Sequence, residues 1–327
     1  MTLGLPDTGT MRRALTLATR APSVHNTQPW RWRVGPDSLT LLADPSRHLP
    51  HADPDRRGLL ISCGATLHHC TVALAAMGWN SKVQRFPDPS DPDHLATITV
   101  SPQVPGELEV LLAGVIGRRR TDRRAYSSWP VPWGNIALMG ARAARAGVML
   151  RQIEPLPRLN EIIAEAASTH SENLDYVREL KAWSGRYGSV AGVPAQNAPE
   201  PEPGAPVTGR IFARPALRQS ASSPAFDDNG VVVALGTRGD DDLARLRAGE
   251  ATSLVLLSAT ALGLATCPVT EPLEIPATRD AVRADVFGTS GYPQMLMRFG
   301  WAPVNAEPLP VTPRRPLLDV ADWLIAG

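Results

Sequence analysis

Five arginines stand within seven residues: Arg118, Arg119, Arg120, Arg123 and Arg124, with Thr121 and Asp122 among them. Guanidinium groups this close repel one another unless an anion or carboxylates sit between them. A compact phosphate suits the run, because arginine binds it bidentately and a threonine adds a hydroxyl. A solvated charge run and a nucleic-acid patch are the other readings. The second is weakened by a net charge of only +1 and by the lack of interleaved aromatics. A second basic pair, Arg314-Arg315, lies in a proline-rich tail and can close on the same anion. The stretch Ala21-Pro22-Ser23-Val24-His25-Asn26-Thr27-Gln28-Pro29-Trp30 offers different chemistry. Its prolines fix φ and remove donors. Ser23, Asn26, Thr27 and Gln28 supply small donors and acceptors with no carboxylate, which fits a planar polar ligand. The alternative is a rigid turn whose side chains bond their own backbone.

Other chemistry is weaker. Gly236-Thr237-Arg238-Gly239 follows a strand but lacks the full glycine fingerprint of a dinucleotide loop. Asp240-Asp241-Asp242 reads as an acid-enriched helix start rather than a metal site. His68, His69 and Cys70 are adjacent, so a helix cannot aim all three at one ion; they read as core. No Ser/His/Asp or Cys/His arrangement and no metal site is legible.

Composition sets bounds. The chain has 327 residues, 43% of them apolar, enough for one large domain or two that share a core. Its near-neutral charge gives no overall pull toward nucleic acid or an anionic membrane. Cys63 and Cys70 are seven apart in a helical pattern, about 10 Å between Cα atoms, too far for a disulfide. The odd count of three, with no apolar leader at the N-terminus, predicts a reducing cytoplasm. Residues 251–269 carry no charge, but their small and hydroxylated content predicts a buried core helix rather than a membrane span.

The elements that must position these residues follow from periodicity. Thr10 can cap a helix over 10–19. Trp30, Trp32 and Val34 alternate with Arg31 and Arg33 as a strand, and 38–43 forms a second. Helices are predicted over 59–77, 107–117, 133–146, 156–167, 174–183 and 240–264. Strands are predicted near 81–86, 96–100, 148–153, 231–235 and 295–299. Residues 185–224 are rich in Gly, Pro, Ala and Ser and have no period, the character of a lid. Residues 64–78 and 249–263 are both helical with glycines at each end. At an offset of 185, Val72 matches Leu257, Ala76 matches Ala261 and Met77 matches Leu262. Two related halves about a pseudo-twofold would produce such a repeat.

Residues 21–30 resemble the Ala-Pro-Ser-x-x-Asn-x-Gln-Pro-Trp signature of the nitroreductase superfamily of FMN proteins. Residues 119–124, Arg-Arg-Thr-Asp-Arg-Arg, are similar to that family's phosphate motif. Thr270 and Glu271, after Cys267-Pro268-Val269, match its segment facing the flavin ring. Residues 294–300 and Arg314-Arg315 resemble its closing strand and basic tail. The order departs from ordinary members, in which the arginine motif precedes the Ala-Pro-Ser loop in a half-length chain that dimerises. Here the chain resembles the Acg-type branch, two degenerate halves fused with one flavin site surviving.

The resemblance implies an α+β nitroreductase-like fold, a single-chain pseudodimer with mainly antiparallel sheets and long central helices. Its halves would be 1–106 and 107–327, with a lid over 185–224. It implies one FMN. Arg119, Arg120 and Thr121, with Arg314 and Arg315, would hold the phosphate. Arg123 would sit near the ribityl chain and the N1/O2 edge of the ring. Ser23, Asn26 and Gln28 would bond ribityl and pyrimidine groups. Pro22 and Val24 would contact the ring, and Pro268, Val269 and Thr270 would cover its N5 face. Two functions follow from the resemblance: a covered flavin held with little turnover, or an NAD(P)H-dependent reductase of nitro compounds or quinones. The fused chain would act as a monomer, with no nucleic acid or membrane partner.

Overall fold

A computed structural model describes residues 5–154, 156–200, 205, 207, 209–219, 227–303 and 305–324. Helix α1 (Thr8–Ala18) is capped by Asp7, whose carboxylate accepts from Thr10 N at 3.0 Å. The cap is therefore three residues before Thr10, because the carboxylate outcompetes the hydroxyl. Strands β1 (Trp30–Val34) and β2 (Leu39–Ala43) form a hairpin, with Trp30, Trp32 and Val34 buried and Arg31 and Arg33 exposed. Helix α2 (Arg57–Ala76) leads to a second hairpin, β3 (Trp79–Arg85) and β4 (His94–Pro102).

Beyond it come α3 (Glu107–Ile116), α4 (Trp133–Arg145), β5 (Met149–Gln152), α5 (Leu156–Glu172) and α6 (Leu174–Ala182). The segment without a period contains two short paired strands, β6 (Ser184–Arg186) and β7 (Val193–Pro194), and a 3-10 turn, Ala195–Asn197. Of the expected lid, 201–204, 206, 208 and 220–224 lie outside the described residues. The chain continues as β8 (Val231–Thr237), α7 (Asp242–Ala261), β9 (Ala265–Val269), α8 (Glu271–Glu274), α9 (Pro276–Val282), β10 (Tyr292–Gly300) and β11 (Ala321–Trp323).

The charge-free run 251–269 is not one helix. Gly263, at φ +83°, turns the chain from α7 into β9, a conformation open to glycine at little cost. α2 is the described helix that is long and apolar enough to cross a membrane, and most of it is buried inside the fold.

The first sheet has the order β11-β1-β2-β4-β3 and the second β5-β8-β10-β9. Setting β11 aside, strands in the same chain order take the same places in both sheets. In each, the long helix falls between the second and third of those strands. Pairing is antiparallel except for β1 with β11 and the short β6 with β7. Strands and helices are segregated rather than alternating, the α+β class. β11 carries the tail onto the first sheet, with Trp32 opposite Ala321. The last strand thus joins the sheet of the 1–106 region.

α2 and α7 cross at Gly64 and Gly249. A Cβ on Gly64 would stand 2.0 Å from Leu246 O, and one on Gly249 would stand 2.1 Å from Ile61 O. The offset of 185 turns one contact into the other, since it carries 64 to 249 and 61 to 246. His68 Nδ1 and Ser253 Oγ, again 185 apart, lie 2.7 Å from each other. Two halves related by a twofold axis would meet in this reciprocal way.

Candidate functional site

The loop between α1 and β1 is held in an unusual conformation. His25, Asn26 and Gln28 have φ of 43°, 54° and 54°. Left-handed backbone is costly for His and Gln, and such strain gathers where a site must be shaped. Local bonds fix it: Gln28 N donates to Ser23 Oγ at 2.9 Å and Val24 N to Ser62 Oγ of α2 at 3.0 Å. Pro22, Ser23, Val24 and His25 then form one wall of a cavity, with Ser62 and Ala65 of α2 behind them.

The opposite wall comes from the second sheet region. Thr121 and Arg123 line it, as do Cys267, Pro268, Val269, Thr270, Glu271 and Glu274. The structure therefore brings Pro22, Ser23, Val24, Thr121, Arg123, Pro268, Val269 and Thr270 to one cavity, although about a hundred and again about 150 residues of chain separate them. Asn26 and Gln28 are buried beside it; the Gln28 amide is spent as a strut, while Asn26 has its Nδ2 engaged and its Oδ1 without a partner. Asn26 Nδ2 donates to Gly192 O at 3.0 Å and Pro313 O at 3.3 Å. Gln28 Nε2 donates to Val190 O at 2.8 Å, and its Oε1 accepts from Arg315 N at 2.8 Å.

The basic residues divide. Arg124 is paired with Asp122 at 2.8 Å, both buried. Arg120 is half-buried and donates to the carbonyls of Gly117 and Arg119. Arg314 gives its five donor contacts to the carbonyls of Thr19, Arg20, Ala21, Thr312 and Pro313, which ties the tail to the end of α1. Arg315 lies 3.3 Å from Asp44 and donates to Gln28 O and Asp319 O, the geometry of a strut rather than an anion clamp.

Arg119 is different. It is 5% exposed, and its Nε and Nη1 have no hydrogen-bond partner. Burial, then the nearby Arg120, Arg20 and Arg123, push its pKa down to about 10. A shift of that size corresponds to roughly 3 kcal/mol of penalty on the charged form, which a solvated charge run would not carry. An anion beside Arg119 would relieve it, and burial, followed by Arg119, Arg20 and Arg120, holds Arg314 low as well.

Described residues of the stretch between β6 and β8 form a third wall. Pro199, Glu200, Gly209, Arg210, Phe212 and Gln219 face the cavity from it. Arg123 Nη1 donates to Asn197 O at 3.0 Å and its guanidinium lies 4.8 Å from the Phe212 ring. Phe212 is edge-on to His25, 6.0 Å between ring centroids. Arg210 Nη2 donates to Glu274 Oε1 at 2.6 Å, and Nη1 to His25 Nε2 at 2.5 Å. Glu271 accepts from His170 at 3.2 Å, and His170 stacks on Tyr176 at 3.7 Å. Burial, followed by Arg210 and Arg123, holds His25 neutral, with its pKa well below the usual histidine range.

His25, Ser62, Arg210, Phe212 and Glu274 were not among the residues the sequence singled out. His25 occupies a variable place in the signature, and Ser62 could be found only from α2 passing behind the loop. Arg210 and Phe212 lie in a segment without periodicity, where no local signal exists. Asp241 caps α7 by accepting from Ala244 N, and Asp240 pairs with Arg57, so the triple aspartate is a helix start.

The profile of the family described as "Nitroreductase family" matches residues 116–301. A protein of Mycobacterium tuberculosis H37Rv that carries the provisional name NAD(P)H nitroreductase Rv3131 is 62% identical over 323 residues, 99% of this chain and 94% of its own. A second protein of that strain, provisionally named NAD(P)H nitroreductase acg, is 38% identical over 331 residues, 97% of each chain. Among solved structures, a provisionally named nitroreductase of Anabaena variabilis aligns over 91% of this chain and 90% of its own, with a TM-score of 0.46 and 12% identity. The FMN-dependent nitroreductase NfnB of Mycobacterium smegmatis, solved in complex with NADPH, aligns over 65% of this chain and 97% of its own, with a TM-score of 0.39 and 16% identity.

Proposed function

The chain belongs to the nitroreductase family, and on that premise we propose that it binds one FMN between two related halves and keeps the flavin covered, with little NAD(P)H-dependent turnover. The observation that carries the covered reading is the seating of Arg210 and Phe212 in the cavity wall, against His25 and Glu274. The reading of two halves is supported by the matched strand orders and by the reciprocal crossing of Gly64 and Gly249.

The residues present fit FMN. Arg119 does not itself line the cavity but stands two residues before Thr121, which does, and it is a buried cation with unpartnered nitrogens, the property expected of a phosphate ligand. Thr121 adds a hydroxyl, and Arg123 supplies a cation in the cavity wall. When bound, FMN supplies redox chemistry at its ring, and a cation near the ring favours the reduced form. Ser23 and Ser62 shape the loop side. Pro268, Val269 and Thr270 provide the facing wall. The covering segment excludes water and substrate. Arg314 contributes charge rather than a hydrogen bond, since its donors are engaged.

The provisional names of the M. tuberculosis relatives favour a second reading, an NAD(P)H-dependent reductase acting on a nitro compound. That activity needs the cover to open. The two are separated by anaerobic titration of the flavin absorbance. Reduction by dithionite but not by NADPH supports the covered flavin, and rapid bleaching by NADPH supports the reductase. The cofactor itself is tested by the Arg119→Ala, Thr121→Glu double variant, which should purify without flavin.

A further inference from the structure

Arg210 stands in an arrangement that suits its own functional group and no other cation. Its side chain and those of Glu271 and Glu274 are each 8–9% exposed. Around the guanidinium, Glu274 Oε1 and Thr270 Oγ1 lie 2.6 Å and 3.4 Å from Nη2. His25 Nε2 lies 2.5 Å from Nη1, and Glu271 Oε2 lies 3.8 Å from Nε. All three nitrogens of the fork face a separate acceptor group. A lysine ammonium, a point charge on a flexible stem, cannot meet acceptors spread around a plane.

The acceptors come from the α1–β1 loop and from Thr270 and both ends of α8, while the cation comes from the covering segment. The fork therefore ties the cover to both walls of the cavity. Two buried carboxylates left without their cation are strongly unfavourable, so they either take protons or draw a cation from solution. His170 Nδ1 lies 3.2 Å from Glu271 Oε1 and its Nε2 4.0 Å from Glu274 Oε2, and Thr270 Oγ1 donates to Glu274 Oε1 at 2.8 Å; at Glu274 Oε1 the Arg210 fork, at 2.6 Å, is the nearest cation.

We propose that Glu271, Glu274, Thr270 and His25 form a receptor for a guanidinium or amidinium group, filled in cis by Arg210 to fasten the cover, and open to a small cation of that class when Arg210 is withdrawn. The inference rests on the proposed function only for what the cover hides. The receptor consists of protein atoms alone, so the test does not need a flavin.

Hydrogen–deuterium exchange is measured on the full chain, as purified and after removal of any flavin, for Arg210→Ala and the unchanged protein. Peptides from 184–199 and 209–219 should exchange at least tenfold faster in the variant, with those of α2 and β8 unaltered. Methylguanidinium at low millimolar concentration should restore most of that protection, whereas methylammonium and urea at the same concentration should not. Glu274→Gln provides a second variant. Its cover should also loosen, and methylguanidinium should not restore it. Exchange in Arg210→Ala equal to the unchanged protein overturns the fastening role. Equal rescue by methylammonium, or rescue of Glu274→Gln, overturns the receptor. If Arg210→Ala does not fold, the Glu274→Gln arm alone decides: a cover as protected as in the unchanged protein overturns the proposal. A chain that purifies without FMN would contradict the proposed function and leave these outcomes in force.

Discussion

At the scale of residues, burial and hydrogen-bond partners separate arginines that sequence alone does not rank. Arg119 is buried with free nitrogens, whereas Arg315 is committed to Asp44. Charge-assisted bonds contribute roughly 1.5–3 kcal/mol each. Arg119→Ala should therefore weaken FMN binding by about 10- to 100-fold, and Arg315→Ala by less than about threefold. Fluorescence titration of flavin-free protein checks both. The histidines give a pH prediction. Burial holds His25, His68 and His69 below their ordinary value, His68 at about 4. The unfolded chain then binds protons that the native state refuses. The stability is fully present above about pH 6.5 and is lost as pH falls from there toward the native value. Asp53, pushed up to about 7 by burial, acts in the opposite sense over the same range. Comparing the unchanged protein with His68→Gln cancels the Asp53 effect. Between pH 7.5 and pH 5 the variant should lose about 2 kcal/mol less stability in urea unfolding.

At the scale of elements, the crossing of α2 and α7 depends on two glycines that leave their backbones in contact. Gly64→Ala should cost at least about 3 kcal/mol, the upper range of overpacking, because the clashing atoms are backbone and cannot turn aside. Gly114→Ala in α3, with open space around it, should instead stabilise by up to about 1 kcal/mol. Thermal unfolding distinguishes the two. Elements with a strong period were legible in the sequence: β1 from its alternation, and α2 and α7 from their apolar length and shared glycines. What was not legible depended on distant partners. β11 has three residues and becomes a strand because β1 offers an edge. The end of α7 was misread because an uncharged run continues smoothly from helix into strand, and Gly263 marks the break only through its φ.

At the scale of the whole molecule, the site exists because distant parts of the chain converge: a strained loop, the arginine run, the strand end at Pro268–Thr270 and the cover. The loop and the arginine run carried enough chemistry to be found in the sequence. The cover's contribution was visible only as a long stretch without pattern, since the fit of Arg210 and Phe212 is purely tertiary. The central claim is one flavin held between two halves and shielded by that segment. Its most direct test is anaerobic spectroscopy of the purified full-length protein, first with NADPH and then with dithionite. The account predicts a yellow protein whose flavin band persists with NADPH and disappears with dithionite. A colourless protein, or a band bleached rapidly by NADPH, would contradict it.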